Sequence, residues 1–370
     1  MHFKCVKCGR EYEYGERIWH CSCGGYIKLI QEVLFSKNDI NFNLPGMWRY
    51  EKAYPLKYNK LKASFNEGFT PLVGIEWGNM KISIKMDTLM PSGSFKDRGM
   101  VMAVNYLNNF GADKITEDSS GNAAASVAAY CALGGIPCEV FVPSGNSSSK
   151  ITQAKAYGAV VNEVTGSRED VANAAQVFTQ SYAGHNWHPM FAAGLRSVAY
   201  EIWEQNGFKA PKAVITPCGG GSLTLGLIDG FRELLKNGEI LDMPRIIAVQ
   251  PENCNPIARM FNNDTSEFTP KPTLAEGTSI AKPVKAEEII EGIKFSRGAM
   301  VSVTEAELKP ALLKANAKGI YVEPTSAIAF AALDKLMSGN CFDEHDEVVV
   351  IASGNGLKAG DTIKLIMDRE

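Results

Sequence analysis

The sequence lacks the features that would place it in a membrane or on nucleic acid. No run in its 370 residues approaches the ~18 uninterrupted apolar residues that a membrane-spanning helix needs. The formal net charge is −3, so no excess of positive charge attracts nucleic acid or an acidic membrane surface. Residues 1–10 lack the apolar core of a signal peptide. We therefore expect a cytoplasmic protein that binds neither membrane nor nucleic acid.

Cysteines are concentrated at the start of the chain, where four of the nine lie within the first 23 residues. Such clustering in a cytoplasmic protein indicates a metal site rather than disulfides. Cys5 and Cys8 have the spacing of a zinc knuckle, but the second pair is irregular. We predict that Cys5, Cys8, Cys21 and Cys23 bind zinc in a small ribbon over residues 1–29. His20 is the alternative to Cys21 as fourth ligand, and a degenerate ribbon without metal is the third possibility.

From about residue 70 the chain alternates apolar runs with segments of helical periodicity, and it shows no internal repeat or coiled-coil pattern. The runs are uninterrupted, which is typical of strands buried on both faces of a parallel sheet. We predict strands at 138–142, 213–215, 245–249 and 348–351. We predict helices at 121–134 and 305–319, with Pro310 weakening the start of the second. The alternation predicts an α/β, doubly wound fold.

The loop from Pro91 to Gly99 carries a lysine, Lys96, at the start of a predicted helix. Its small residues allow the backbone to approach a ligand closely. A buried lysine amine can form a Schiff base with an aldehyde, because burial favours the neutral amine. The alternative, for this loop alone, is a surface cation.

A second loop contains Ser119, Ser120, Gly121 and Asn122 and leads into an alanine-rich helix. The unpaired N–H groups at a helix start bind anions, and a substrate carboxylate would suit them. Asn122 can also donate to a ring oxygen. The alternative is a plain helix cap.

A third loop follows the strand at 213–215 and contains Gly219, Gly220, Gly221 and Ser222. Consecutive glycines let backbone N–H groups converge on a phosphate. A dinucleotide site would need more widely spaced glycines and an acidic residue for the ribose, so we favour an anion-binding loop.

Six motifs occur in sequence order, and the five from residue 91 onward span roughly 260 residues. They are Glu67–Leu72, Pro91–Gly99, Ser120–Asn122, the triple glycine, Glu323–Ser326 and Ser353–Lys358. In these motifs the chain resembles the fold-type II (tryptophan synthase beta-like) pyridoxal-phosphate-dependent enzymes, and within them the threonine synthases. Some members of this family also carry an N-terminal metal ribbon.

The resemblance implies a role for each matching residue. Lys96 would hold the cofactor as an imine and then act as the base that moves protons. The other cofactor contacts would be Asn122, Gly219, Gly220, Gly221, Ser222 and Ser353. Substrate would be bound by Ser119, Ser120, Asn122 and Arg196. Asp97 and Arg98 are expected to pair structurally.

The resemblance also implies two α/β domains with pyridoxal 5'-phosphate between them, and a homodimer. We expect a small domain at residues 88–184 and a large domain at 30–87 and 185–370. The implied reaction converts O-phospho-L-homoserine and water to L-threonine and phosphate.

Two positions depart from the threonine-synthase pattern. Phe191 stands where an arginine would grip the substrate phosphate, and Gly220 replaces an asparagine. Either Arg196, His185 or His188 supplies the phosphate contact instead, or the substrate carries no γ-phosphate. In the second case the enzyme would catalyse β-elimination, like serine/threonine dehydratases, or β-replacement, like cysteate synthase. A non-catalytic cofactor- or zinc-binding regulator is a further alternative, against which the intact Lys96 argues.

Overall fold

The computed structural model describes residues 1–145, 148–178 and 181–368. The strands are β1 His2–Cys5, β2 Glu11–Glu13, β3 Ile27–Ile30, β4 Leu72–Trp77, β5 Met80–Lys85, β6 Ile115–Glu117, β7 Cys138–Pro143, β8 Val160–Val164, β9 Ala213–Pro217, β10 Arg245–Pro251, β11 Ala299–Val303 and β12 Val348–Ile351. The α-helices are α1 Lys96–Asn109, α2 Asn122–Gly134, α3 Ser149–Ala156, α4 Arg168–Phe178, α5 Pro189–Leu195, α6 Ser197–Gln205, α7 Ser222–Lys236, α8 Pro256–Phe261, α9 Ala286–Phe295, α10 Glu305–Ala317, α11 Pro324–Ser338 and α12 Gly360–Met367. Short 3-10 helices lie at Lys37–Asp39, Gly46–Ala53, Tyr58–Lys60, Asp87–Leu89, Glu252–Cys254, Glu276–Thr278 and Gly356–Ala359.

The predicted α/β fold is confirmed, and the predicted strands are present as β7, β9, β10 and β12. The predicted helices are α2 and α10. Helix α10 continues through Pro310, and its start is defined by a capping box in which the side chains of Thr304 and Glu307 each accept from the other residue's backbone N–H. Among the described residues, no helix is both long and apolar enough to cross a membrane.

The chain divides into two compact units. The first unit comprises Met1–Gly68 and Lys96–Ser197, and the second comprises Phe69–Phe95 and Val198–Glu370. This division differs from the predicted domain boundaries, since 1–68 and 185–197 lie with the unit that contains the predicted small domain. A buried amide in α1 ties the early segment to that unit: Asn105 donates to the Ala63 carbonyl at 2.6 Å and accepts from the Ala63 N–H at 3.0 Å.

The first unit contains two small sheets. Strands β6, β7 and β8 form a parallel sheet in that order, and the N-terminal strands form an antiparallel sheet in the order β2-β1-β3. The N-terminal sheet packs on α1 through aromatic rings, because Phe3 and Tyr14 both contact Tyr106, at 5.8 and 5.4 Å between ring centroids. The ribbon segment is therefore part of the first unit's core.

The second unit is built on a sheet in the order β11-β10-β9-β12-β5-β4. All neighbours are parallel except β4 and β5, which form an antiparallel pair at the edge. Helices α10 and α11 pack together, and their apolar faces share a buried core with this sheet. The central strands are buried on both faces, which explains their continuous apolar sequences.

Helices α1 and α5 approach each other closely at two glycines. A methyl group at Gly99 would overlap the ring of Phe191, and one at Gly194 would overlap the carbonyl of Arg98. Only glycine permits this close helix crossing. The crossing sets the position of Phe191 against the first turn of α1, where Lys96 lies.

Candidate active site

Lys96 is the first residue of α1. The residues before it are fixed within the second unit: the N–H of Phe95 donates to the Ser353 carbonyl at 2.9 Å, and Ser94 pairs with Gly354 in a β-bridge. The loop from Pro91 to Gly99 is therefore held by backbone hydrogen bonds before Lys96 and by helix α1 from Lys96 onward.

The ring of Phe191 lies close to the Lys96 amine. Its ring centroid lies 5.5 Å from Nζ of Lys96, and the ring is fully buried. The next two residues in α1 are held by serines, with Ser126 donating to Asp97 at 2.6 Å and Arg98 donating to Ser197 at 2.9 Å. Both side chains are buried, and these contacts agree with their predicted structural role.

The loop from Ser119 to Asn122 follows β6, and α2 begins at Asn122. The Gly121 N–H donates to the Ser119 hydroxyl at 3.1 Å, so this hydroxyl shapes the turn. The N-cap, Gly121, provides no side-chain hydrogen bond to the helix. The N–H groups of the first turn therefore receive no side-chain cap from this residue, and the binding of a substrate carboxylate by them stays a prediction.

The glycine loop in the second unit joins β9 to α7. Gly221 is the N-cap of α7 in the left-handed conformation, at φ 81°, and gives no side-chain cap. A side chain at Gly221 would overlap Ile289, and one at Gly219 would lie 2.8 Å from the Gly277 carbonyl. The chain therefore requires glycine at both positions, and the start of this 15-residue helix presents backbone N–H groups.

Ser353 lies directly after β12 and is 1% exposed. Its hydroxyl shares a 2.9 Å hydrogen bond with the hydroxyl of Ser326, which also accepts from the Gly354 N–H. Ser326 comes from the Glu323–Ser326 motif, to which the sequence assigned no individual role. Through this hydrogen bond, the motif fixes the orientation of the Ser353 hydroxyl.

His185, His188 and Arg196 have different surroundings in the first unit. His188 caps α5 by accepting from the Met190 N–H, and Arg196 donates to the Ala193 carbonyl. Nδ1 of His185 lies 2.7 Å from Oε1 of Glu117, which is the last residue of β6. The sequence reasoning did not single out Glu117. The sequence signal that could have found Glu117 is a charged residue at the carboxyl end of a buried strand.

The four predicted metal ligands lie together. All four sulfur atoms of Cys5, Cys8, Cys21 and Cys23 are within 4.8 Å of one another. Cys21 accepts from the Tyr12 hydroxyl at 3.0 Å, and hydrogen bonds from the Cys23 backbone and this hydroxyl lower the pKa of the Cys21 thiol to about 6. The ring of His20 instead stacks on Trp19, at 3.7 Å between centroids.

The chemistry of these groups fits pyridoxal 5'-phosphate. The cofactor needs an amine for its aldehyde, backbone N–H groups for its phosphate and a partner for its ring nitrogen. In the first unit, Lys96 has the amine that such an aldehyde requires. In the second unit, the glycine loop at α7 has the backbone N–H groups for a phosphate, and Ser353 has a buried hydroxyl suited to a ring nitrogen.

Three comparisons connect the chain with known proteins. Residues 63–354 match a family model described as pyridoxal-phosphate dependent enzyme. The chain is 32% identical to a threonine synthase of Methanocaldococcus jannaschii, over 97% of this chain and 93% of that protein. It is 31% identical to a threonine synthase of Methanosarcina acetivorans, over 98% and 93%. Its fold is similar to that of a fungal L-serine ammonia-lyase from Rhizomucor miehei, with TM-score 0.70 and 19% identity over 81% of this chain and 98% of the other.

Proposed function

The chain belongs to the family of pyridoxal-phosphate-dependent enzymes, and from this premise we propose that it is a lyase that converts O-phospho-L-homoserine and water to L-threonine and phosphate. The observation that carries the proposal is its similarity, over almost its whole length, to proteins named threonine synthase. The amine of Lys96 and the glycine loop at α7 support it independently.

We assign the cofactor to Lys96, Asn122, Ser353 and the glycine loop of residues 219–222. When bound, pyridoxal phosphate supplies a ring that withdraws electrons from the α-carbon of the substrate. The hydroxyl of Ser353 is neutral and would leave the ring nitrogen unprotonated. This would weaken the withdrawal of electrons, which suits elimination better than transamination. Ser326 holds that hydroxyl in place.

Lys96 is assigned the proton transfers. The reaction removes protons from the α- and β-carbons and expels phosphate from the γ-carbon. A proton is then added at the γ-carbon, the hydroxyl group of water is added at the β-carbon, and a proton returns to the α-carbon. Ser119, Ser120 and the N–H groups at the start of α2 orient the substrate by its carboxylate. A carboxylate fixed at this helix end keeps the reacting carbons in one position while Lys96 moves their protons.

The test is phosphate release with product identification, using O-phosphohomoserine beside O-phosphoserine, serine and threonine. Threonine and phosphate from phosphohomoserine are the expected products. A keto acid from serine or threonine, with no turnover of phosphohomoserine, would instead support β-elimination. The buried ring of Phe191, in place of a phosphate-binding arginine, is the observation that favours this second candidate.

Lys96→Ala tests whether the chain is an enzyme at all. We expect the purified protein with added pyridoxal phosphate to absorb in the visible imine region, and the variant to lose both this band and turnover. Lys155→Ala, at an exposed position in α3, is the matched control and should keep both. Wild-type protein without the band would refute cofactor attachment.

We also propose that Cys5, Cys8, Cys21 and Cys23 bind one zinc ion with a structural role. Four sulfurs at about 2.3 Å from a tetrahedral zinc lie about 3.8 Å apart. The Cys5–Cys23 and Cys8–Cys21 separations of 3.5 and 3.6 Å are close to this value. Metal analysis of Cys21→Ser and His20→Ala decides the fourth ligand, since only the first should lose zinc.

We further propose that the enzyme acts in the cytoplasm as a homodimer. Size-exclusion chromatography with light scattering measures the oligomeric state directly. A mass of one chain at micromolar concentration would contradict the dimer without affecting the proposed reaction.

A further inference from the structure

A cleft lies in the second unit at the amino-terminal ends of three sheet strands. Lys212 precedes β9, Arg245 begins β10 and Arg297 lies just before β11, and all three line the cleft. Its volume is about 840 Å³. Cavities of roughly 300 to 1,000 Å³ are the size that holds small organic ligands. The glycine loop follows the opposite end of β9, so the cleft is separate from that loop.

Part of the lining is apolar. Pro211, Ile240 and Met243 line the cleft and are buried. Leu241, which lies between the last two in the sequence, is 94% exposed. A ligand with an apolar body would therefore find apolar surface to cover, including one large side chain that water now surrounds.

Cations outnumber acids around the cleft. The cations are Lys209, Lys212, Arg245 and Arg297, and the acids are Glu239 and Asp242. Arg297 pairs with Asp242 at 2.9 Å, with side chains that are 72% and 80% exposed. Lys212 lies 3.9 Å from Asp346, at the limit of an ion pair. Exposed pairs of this kind are weak, so neither commits its cation firmly.

Lys209 and Arg245 have no such pair. Among the described residues, no acidic side chain lies within ion-pair distance of either one. The guanidinium of Arg245 lies 5.9 Å from the ring centroid of Phe342, a contact that leaves its charge in place. The cleft therefore has positive charge that the protein itself does not neutralise.

Arg297 has a backbone conformation that glycine normally supplies. It follows α9 at φ 52°, and its N–H donates to the Lys294 carbonyl at 3.0 Å, which closes the helix end. Helices α6 and α7 end at the same cleft with the equivalent bond, from Gly207 and Gly238. The other described helices that end in this way have glycine or asparagine there, at Gly111, Gly135, Gly158, Asn263, Gly319 and Asn340. Strained residues of this kind cluster at ligand sites, which favours a binding role for the Arg297 side chain.

A cation near the end of a helix can also balance the partial negative charge of the helix dipole. That role is already filled by Lys236 in the last turn of α7 and by Lys294 in the last turn of α9. The final carbonyls of these helices also accept backbone N–H groups, among them those of Glu239 and Gly298 at 2.9 Å. The helix ends therefore do not require an arginine at position 297.

We propose that this cleft is a ligand site for an organic anion, in which Arg245 and Arg297 bind a phosphate or carboxylate group. A guanidinium can donate two parallel N–H bonds to either group. The apolar body of the ligand covers Ile240, Leu241 and Met243. An inorganic ion would leave most of the 840 Å³ unfilled, which is why the ligand is an organic one.

Isothermal titration calorimetry of the holoenzyme tests the proposal with two matched compounds. Anilinonaphthalene sulfonate is an organic anion, and phenylnaphthylamine has the same rings without the sulfonate. We expect the neutral amine to bind at least about tenfold more weakly, the scale of one lost charge-assisted hydrogen bond. Equal affinities would reduce the cleft to an apolar surface and overturn the proposal.

Arg297→Gly makes the test specific to this cleft, because binding and stability should respond differently. The Kd of the sulfonate should rise about tenfold. The melting temperature should not fall, because glycine adopts a φ of 52° without strain. Arg245→Gln should raise the Kd by a similar factor. Lys271→Gln removes an exposed cation elsewhere in the second unit and is the control, which should bind the sulfonate as wild type does.

Phenyl phosphate and phenylacetate, at millimolar concentration, distinguish the two anionic groups. Displacement of the sulfonate by either supports the site, and the stronger competitor identifies the preferred group. Displacement by neither, or a wild-type Kd in both arginine variants, overturns the proposal. None of these measurements requires turnover of O-phosphohomoserine, so an enzyme with another substrate would leave the site standing.

Discussion

Glu67 is a buried acid whose partners are donors rather than a cation. It is 2% exposed and accepts from Trp48 at 2.6 Å, from the Tyr130 hydroxyl at 3.0 Å and from the Phe65 N–H at 2.9 Å. Burial raises the pKa of the Glu67 carboxyl. It connects the segment before residue 68 with α2, and so it stabilises the first unit rather than taking part in chemistry.

Glu67→Ala should destabilise the protein by about 2–4 kcal/mol, because it leaves buried donors without an acceptor. Urea unfolding followed by circular dichroism measures the free energy of unfolding. Glu76→Ala is the control, since Glu76 is exposed on β4, and we expect a change within about 0.5 kcal/mol. Equal effects of the two substitutions would show that the Glu67 network contributes nothing.

At the scale of single residues, the sequence allowed predictions where one residue type has a distinctive chemistry. Lys96 and Ser353 could be proposed as site residues from the sequence because motif and residue type agree. The pairing of Glu117 with His185 could not be predicted, because the two residues are 68 positions apart. Spatial pairing of this kind leaves no local pattern in a single sequence.

At the scale of elements, the crossing of α1 and α5 depends on glycine. Gly99→Ala should cost about 1–3 kcal/mol, because the added methyl group overlaps the Phe191 ring in a packed core. Gly360→Ala is the control: a methyl group there has open space, and its φ of −54° is helical. Denaturant unfolding should show Gly360→Ala as stable as wild type or slightly more stable.

A double variant checks the cause. Phe191→Ala removes the ring, and the cost of Gly99→Ala measured in that background should fall by at least half. A cost that stays the same would place the strain elsewhere in α1.

The glycine loop at the start of α7 makes a different prediction. Gly221→Ala requires an alanine at φ 81° and overlap with Ile289, so the loop must shift. We expect the apparent Kd for pyridoxal phosphate to rise at least about tenfold, an amount that 1.4 kcal/mol of strain accounts for. Titration of the visible band measures it, and an unchanged Kd would argue against phosphate binding by this loop.

Strands were easier to predict than packing. The runs that became β9 and β12 are apolar throughout because both faces of the sheet are covered, and that leaves a signal within four or five residues. The contact of α1 with α5 joins Gly99 to Phe191 across more than 90 residues. In the sequence, neither Gly99 nor Gly194 can be distinguished from a glycine that merely ends a helix.

At the scale of the whole molecule, the cysteine cluster should contribute to stability. Its sheet packs on α1 through Phe3 and Tyr14, so unfolding of the ribbon would expose Tyr106. Removing zinc with a chelator, or replacing Cys8 by Ser, should lower the melting temperature by several degrees, as about 1–2 kcal/mol would in a chain of this size.

Cys341→Ser is the matched control, because Cys341 is exposed and lies outside the cluster. It should retain wild-type zinc content and melting temperature. Protein that holds one zinc per chain and melts unchanged without it would show that the ribbon folds independently of the metal.

The units were the least predictable feature. Composition gives no boundary near residue 68, and residues 1–68 contain no strand of the β6-β7-β8 sheet or of the six-stranded sheet. This early segment joins the first unit through tertiary contacts such as the one between Asn105 and Ala63. A polar residue in a helix does not by itself reveal that it makes such a contact.

The fit of Phe191 against Gly99 also bears on how this protein can change over generations. A mutation to arginine at position 191 would place a guanidinium in a fully buried slot shaped for a phenyl ring. Such a step is costly unless a second substitution first supplies a buried counter-charge or opens the slot to water. The order in which such substitutions occur therefore decides which of the intermediate sequences still fold.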